Sequence, residues 1–472
     1  MRKTWEFVIL IVMILILLSD CAFISREKLP SINFYFPKED GLPKPTRMFW
    51  NIEIWNSDEV EITLSEDINL EKDVMKMKVE KEYYGYHSVF VSNRLNPNTI
   101  YYWRYKVKIG DRELTSKIRS FKTNHFKVLK AKVFTDVSEN AKIYLPDTDN
   151  VVLILNGSIN VFDNELNKKE TFSVASDIYT YDGSYHNPSL ISLKNDYIVL
   201  YSDNTIYKFS TENSSLDGSS LEWAYYAGFD VKSVNELDTG EFLIAGYDGE
   251  KNQIITTLVS SKGEENWKTY YKSDESIKRV DFLGIYDNYY YLILENDYIA
   301  SLLYKISLDG KESMLKKIME YSDTCEYILE KDKILGLQLT TSEFDRSIIA
   351  YYFDLNGRKV SEKEIYNILA SNTVSGDDGV VKLYKANDIL YILGIVHFEN
   401  YGGSFIFALK NNIEPNSLEL MSNRVYIYDI RSLGDGKFIL IGKTWSIGED
   451  FEMGEDFIMP EGGLPWVMIV EM

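Results

Sequence analysis

The chain has 472 residues, with 51 Lys plus Arg against 72 Asp plus Glu, a formal net charge of −21, and it is 45% hydrophobic and 14% aromatic. That length exceeds one small domain, and 35 Tyr with 23 Phe supply ample core material, which excludes wholesale disorder. Two cysteines exclude a disulfide scaffold and a four-cysteine zinc module, and four scattered histidines leave little for a histidine-rich metal site.

Arg2 and Lys3 precede a run of twelve apolar residues, Phe7 to Leu18, that stops at Ser19-Asp20-Cys21. Twelve helical residues span about 18 Å against a hydrocarbon core of about 30 Å, so the run reads as an export signal better than as a membrane span. Leu18-Ser19-Asp20-Cys21 resembles the lipobox of bacterial lipoproteins, with Asp20 where that pattern has a small residue. The resemblance implies lipidation at Cys21 and a firm membrane anchor, since each buried methylene contributes about 0.8 kcal/mol. The other cysteine, Cys325, is then expected as a buried apolar residue.

Residues 22–125 hold 17 basic and 15 acidic residues, whereas 126–472 hold 32 and 55, so the composition shifts near His125. Before the shift, Tyr101, Trp103, Tyr105 and Val107 alternate with polar partners, the pattern of a half-buried strand. Leu95-Asn96-Pro97-Asn98-Thr99-Ile100-Tyr101 resembles the corner turn of fibronectin type III domains. That resemblance makes Tyr101 the corner tyrosine, Trp50 the core tryptophan of an early strand and Ser120-Phe121-Lys122-Thr123 the closing strand.

Beyond the shift, an Asn, Asp or Gly turn followed by an apolar strand recurs at Val151, Tyr197, Phe242, Tyr290, Ile334, Ile389 and Phe438, with spacings of 46, 45, 48, 44, 55 and 49 residues. A period in the forties with several short strands per unit predicts a seven-bladed β-propeller. The last unit runs out of chain after its third strand, and Lys127 to Phe134 is a spare alternating strand able to complete it. The turns Ser261-Lys262-Gly263 to Trp267 and Leu308-Asp309-Gly310-Lys311 resemble those of propellers with quinoprotein-like or kelch-like repeats. The expected organisation is all-β: a signal peptide at 1–20, a lipidated linker at 21–29, a fibronectin type III-like β-sandwich at 30–125 and a seven-bladed β-propeller at 126–472.

No nucleophile motif accompanies His87, His125, His186 or His397, and no catalytic residue is assigned. Three segments are expected as long loops on one propeller face: Ala175 to Asn187, His397 to Gly403 and Trp445 to Pro465. Tyr179, Tyr181, Tyr185, His186 and Trp445 on that face are the candidate binding residues, because aromatic faces with hydrogen-bonding edges suit sugars or a protein partner. Five carboxylates in eight residues, Glu449, Asp450, Glu452, Glu455 and Asp456, are either hydrated or a calcium site, and no other cofactor is expected. The acidic balance argues against nucleic acid.

The expected function is that of an exported, lipid-anchored bacterial envelope protein, facing the periplasm or the exterior, that binds or scaffolds an envelope protein or glycan. The alternatives are a glycan-processing hydrolase using Asp182, Glu449 or Asp450, and a protein-assembly factor analogous to the propeller lipoprotein of the outer-membrane β-barrel assembly machinery.

Overall fold

The structure is a computed structural model that describes residues 31–37, 41–80, 85–91, 94–135, 141–155, 157–181, 184–185, 188–273, 275–296, 300–320, 325–341, 346–369, 379–398, 401–411, 414–422, 424–445 and 463–472. The expected signal peptide and Cys21 lie outside them. The described residues are all-β apart from one short helix, Ser176–Tyr179. No helix among them is long and apolar enough to cross a membrane.

The chain divides into two compact units, the first containing Trp50–Phe90 and Tyr101–Ser120 with the described residues before 38, the second containing Glu39–Phe49, Val91–Ile100 and Phe121–Met472. Around the first unit, Ser31–Phe36, Phe49–Trp55 and Gly85–Phe90 make one sheet. Met75–Glu80, Glu59–Ser65, Ile100–Ile109 and Arg112–Thr115 make another in that order, with Arg119–Lys122 also paired to Ile100–Ile109. The alternation read from the sequence is realised, with Tyr101, Trp103 and Val107 all buried. Trp50 is fully buried, its ring edge-on to Trp103 at 5.6 Å, and the Tyr101 hydroxyl donates to Glu66 Oε1 at 3.0 Å.

Among the described residues the second unit holds seven consecutive antiparallel meanders. The first is Lys142–Tyr144, Asn150–Leu155, Ser158–Asp163 and Lys168–Val174, with Ser215–Leu216 added in parallel at its edge. The second is Ser189–Leu193, Tyr197–Ser202, Thr205–Ser210 and Leu221–Tyr226, and the third is Asp230–Glu236, Phe242–Asp248, Gln253–Val259 and Glu265–Lys272. The fourth is Ile277–Tyr286, Tyr289–Asn296, Ser301–Ser307 and Ser313–Met319, and the fifth is Cys325–Glu330, Lys333–Thr341, Arg346–Asp354 and Lys359–Leu369. The sixth is Gly379–Ala386, Ile389–Phe398, Tyr401–Lys410 and Glu414–Leu420. The seventh is Val425–Gly434, Lys437–Thr444 and Leu464–Glu471, completed by Lys127–Val133, the strand that the sequence left over.

The recurring turn signal marks the second strand of each meander. Gly240, Asp287 with Asn288, Lys331, Asn387, and Asp435 with Gly436 have positive φ just before those strands, a conformation that Gly, Asn and Asp adopt at low cost and that suits tight hairpins. Each sheet then buries its apolar side chains against the next. Ile154 and Leu200 share a core, as do Val199 and Ile244, Leu243 and Leu292, and Tyr291 and Ile334. Tyr366 of the fifth sheet lies 5.2 Å from Phe407 of the sixth, and Leu393 shares a core with Leu440. Ile439 and Ile441 of the seventh sheet pack with Val151 and Leu153 of the first.

Tryptophans fasten two of these junctions at the turns singled out in the sequence. Trp223 Nε1 donates to the Ser261 carbonyl and Trp267 Nε1 to the Leu308 carbonyl, both at 3.0 Å, so an outer strand is tied to a turn of the following sheet. The glycines of those turns are required twice over: Gly263 and Gly310 have φ of +82° and +72°, and a Cβ on either would sit 2.7 Å from the indole. Gly310→Ala is therefore expected to cost about 2–4 kcal/mol, the left-handed backbone penalty plus loss of the indole contact and its hydrogen bond. Gly434→Ala, at φ +87° with nothing within 4 Å of the new Cβ, is expected to cost about 1–2 kcal/mol. Urea unfolding of both variants checks this, and equal losses would show that the tryptophan contributes nothing.

Cys325 is buried and free, as expected, and burial pushes its thiol well up.

Candidate functional site, an aromatic cavity at the sixth and seventh sheets

Ile395, His397, Arg424, Tyr426, Tyr428 and Trp445 line a cavity of about 470 Å³. Local backbone features of the seventh sheet build it. Opposite Gly442 the first strand slips register between Ile427 and Asp429, leaving Tyr428 as the extra residue of a bulge, and a bulge re-aims the side chain it carries. Gly442 permits this approach, since a Cβ there would lie 1.8 Å from the Tyr426 carbonyl oxygen. Tyr428 is accordingly 38% exposed although its strand neighbours Val425, Ile427 and Ile430 are buried.

The rings form a fixed corner. Tyr426 stands edge-on to Trp445, centroids 5.3 Å apart at 82°, and its hydroxyl lies 3.4 Å from His397 Nε2. Two more glycines make room: a Cβ on Gly402 would be 2.5 Å from the His397 ring, and one on Gly463 would be 2.8 Å from the Trp445 indole. The backbone closes the frame, with Trp445 N donating to the Arg424 carbonyl at 3.0 Å and Arg424 N donating to the Gly402 carbonyl. Burial, with Tyr426 alongside, pushes the Tyr428 phenol up, so at neutral pH it stays a hydrogen-bond donor. Arg424 is exposed and supplies the formal positive charge of the described lining.

Trp445 thus stands in the cavity, grouped with residues that the sequence reading did not select. The expected loop from His397 to Gly403 is corrected: the strands Ile389–Phe398 and Tyr401–Lys410 pair as far as Phe398 with Tyr401. The ladder continues because Gly402 lets the His397 ring lie across it. Tyr179 ends the short helix, while Tyr181 and Tyr185 lie on a two-stranded ribbon of Thr180–Tyr181 and Ser184–Tyr185. His186, Asp182 and the acidic run Glu449, Asp450, Glu452, Glu455 and Asp456 lie outside the described residues. Among the described residues no group of three or more His, Cys, Asp or Glu could hold a metal ion. Tyr426 and Tyr428 stand two residues apart, so period-two alternation puts both on one face and gives no sign of the bulge that carries Tyr428.

A second polar cluster lies between the fourth and fifth sheets. Arg279 reaches Asp281 at 2.8 Å, Glu326 at 2.5 Å and Glu295 at 3.8 Å, three carboxylates around one guanidinium. Burial pushes the Glu326 carboxyl up to about 8, against the pull of Arg279 and with a further push from Asp281. A folded value above the unfolded one means that the contribution to stability is complete below about pH 4.5 and is lost as pH rises toward 8. Stability should therefore fall between pH 5 and 8 with a slope of up to about 1.4 kcal/mol per pH unit from this group. Glu326→Gln should flatten that slope and exceed the wild type in stability at pH 9. An unchanged slope in denaturant titrations across this range would reject the assignment.

No family model matches the sequence, and no curated protein matches it. Similar solved structures include the β-propeller domain of Nup133 from Vanderwaltozyma polyspora, 10% identical over 71% of this chain and 100% of that chain, with a TM-score of 0.37. The WD40 domain of SCAP from fission yeast is 10% identical over 73% and 95% of the two chains, with a TM-score of 0.38. A quinoprotein alcohol dehydrogenase-like protein from Bacteroides thetaiotaomicron is 10% identical over 81% and 93% of the two chains, with a TM-score of 0.34.

Proposed function

We propose that the chain is an exported, lipid-anchored envelope protein in which a fibronectin type III-like domain accompanies a seven-bladed β-propeller, and that the propeller is a binding or scaffolding module for a glycan or protein. The aromatic cavity carries this reading: Trp445, Tyr426 and Tyr428 combine apolar faces with hydrogen-bonding edges in a volume of about 470 Å³, within the usual range of about 300–1,000 Å³ for ligand sites. Seven meanders in sequence, with Ile439 and Ile441 of the last packed beside Val151 and Leu153 of the first, support a closed ring. The buried Tyr101 bonded to Glu66 and the Trp50–Trp103 pair support the sandwich. The lipobox-like Leu18-Ser19-Asp20-Cys21 supports the anchor.

Binding is tested with a panel of envelope glycans and solubilised envelope proteins against wild type and Trp445→Ala. Loss of about 1–3 kcal/mol toward a bound member is expected for a true anchor, with the folding transition retained. Binding that ignores the substitution would place the site elsewhere. Cys21→Ser should release the protein from membranes, and retention of the variant would overturn the anchor.

A further inference from the structure

We infer that the cavity is one end of an elongated site for an oligosaccharide carrying one acidic sugar among neutral ones, with Arg424 pairing with the acidic group; this rests on the binding reading above. The length comes from Tyr428. It lines the aromatic cavity and also a neighbouring cavity of about 340 Å³ that extends past Tyr144 and Ile191 toward the first and second sheets. One exposed phenol therefore walls two cavities, and a ligand of several rings can occupy both while stacking along Trp445, Tyr426 and Tyr428.

Charge selects the chemistry. Arg431 lines the second cavity but is committed to Asp429 at 2.8 Å, and Lys382 holds the same carboxylate at 2.6 Å. Arg424, by contrast, makes no ion pair among the described residues, and the described lining of its cavity contains no carboxylate. A guanidinium offers a planar fork that matches a carboxylate or sulfate group. A dense polyanion is disfavoured because the chain as a whole carries −21 and repels it at long range. A ligand with a single acidic unit meets the local cation without that penalty, and its pyranose C–H faces match the aromatic walls. An acidic peptide shares the charge but has no such faces to stack.

The test is calorimetry with oligosaccharides that differ at one position: a uronic acid, its methyl ester, and a sulfated neutral sugar, with an acidic peptide of similar length as the rival. Wild type should bind the uronate at least about tenfold more tightly than the ester, and added salt should narrow the gap. Arg424→Gln should abolish the difference while leaving the ester affinity within about threefold, and Arg424→Lys should restore part of it. Tyr428→Ala should weaken trisaccharides more than monosaccharides. A sulfate preference over the uronate with the same Arg424 dependence identifies the acidic group as sulfate and supports the site. Equal affinity for uronate and ester, with binding still dependent on Trp445, overturns this inference and leaves the binding module standing. Arg424-dependent binding of the peptide in place of any glycan also overturns it. If no probe shows dependence on Trp445, this inference falls and the binding site lies elsewhere than this cavity.

Discussion

Glu419→Ala is expected to destabilise the second unit by about 3–5 kcal/mol, the usual consequence of removing one partner of a buried, hydrogen-bonded ion pair. Glu419 is 2% exposed on the outer strand of the sixth sheet. Its carboxylate accepts from Thr46 N and Thr46 Oγ1, both at 2.8 Å, and from Asn124 Nδ2 at 3.1 Å. Arg94 completes the set with an ion pair, while its guanidinium lies 5.0 Å from the centre of the Phe126 ring. Three stretches distant in sequence thus converge on one carboxylate. Alanine takes the carboxylate away from a largely buried guanidinium and from the buried Asn124 amide, which keep neutral acceptors such as Thr46 Oγ1 and the Leu418 carbonyl. Glu419→Gln keeps the shape but turns one acceptor into a donor facing other donors, so its loss should lie between those of wild type and Ala. Urea unfolding gives the ordering, and an Ala variant within about 1 kcal/mol of wild type would show that water replaces the carboxylate freely. Arg94→Met combined with Glu419→Ala should recover part of the loss, because the uncompensated charge is then gone.

That convergence also marks how far the sequence could be read. Periodic features were legible: the Asn, Asp and Gly turns before Phe242, Ile389 and Phe438 mark second strands because those residues accept positive φ, and the leftover strand at Lys127 was visible because the last unit lacked a fourth. The role of Glu419 was not, since an isolated glutamate in an acidic region looks like any solvated carboxylate until Thr46, Arg94 and Asn124 are placed beside it. The site divides in the same way. Trp445 stood out as an aromatic beside a long segment, but its companions His397, Tyr426 and Tyr428 depend on a bulge and on three glycines, Gly402, Gly442 and Gly463, whose closest approaches are tertiary. A period-two pattern cannot show where a strand gains one residue.

The largest expected effect belongs to the strand that ends the chain. Truncation after Gly463 removes Leu464, Trp466, Val467, Met468 and Val470, each 0% exposed. Full burial of each side chain contributes about 1.5–3 kcal/mol, so the five together contribute about 8–15 kcal/mol, comparable to the whole stability of a typical domain at about 5–15 kcal/mol. The deletion also strips Lys127–Val133 of its pairing partner and leaves Lys437–Thr444 as an open edge. Loss of a cooperative transition in the second unit, with aggregation through the new edge, is the expected outcome. Removing Glu471 and Met472 alone provides the contrast. It deletes the His125–Glu471 contact at 3.1 Å between two partly exposed side chains, the backbone bond from Met472 to Gly436, and the ladder position of Glu471 opposite Lys437 and Lys127, and should cost little for the exposed ion pair and about 1 kcal/mol for each backbone bond lost. Circular dichroism melts of the two truncations separate the cases. If the longer truncation still melted cooperatively near the wild-type temperature, the seventh sheet would not need its third strand, and the second unit would be held by the packing of its other sheets.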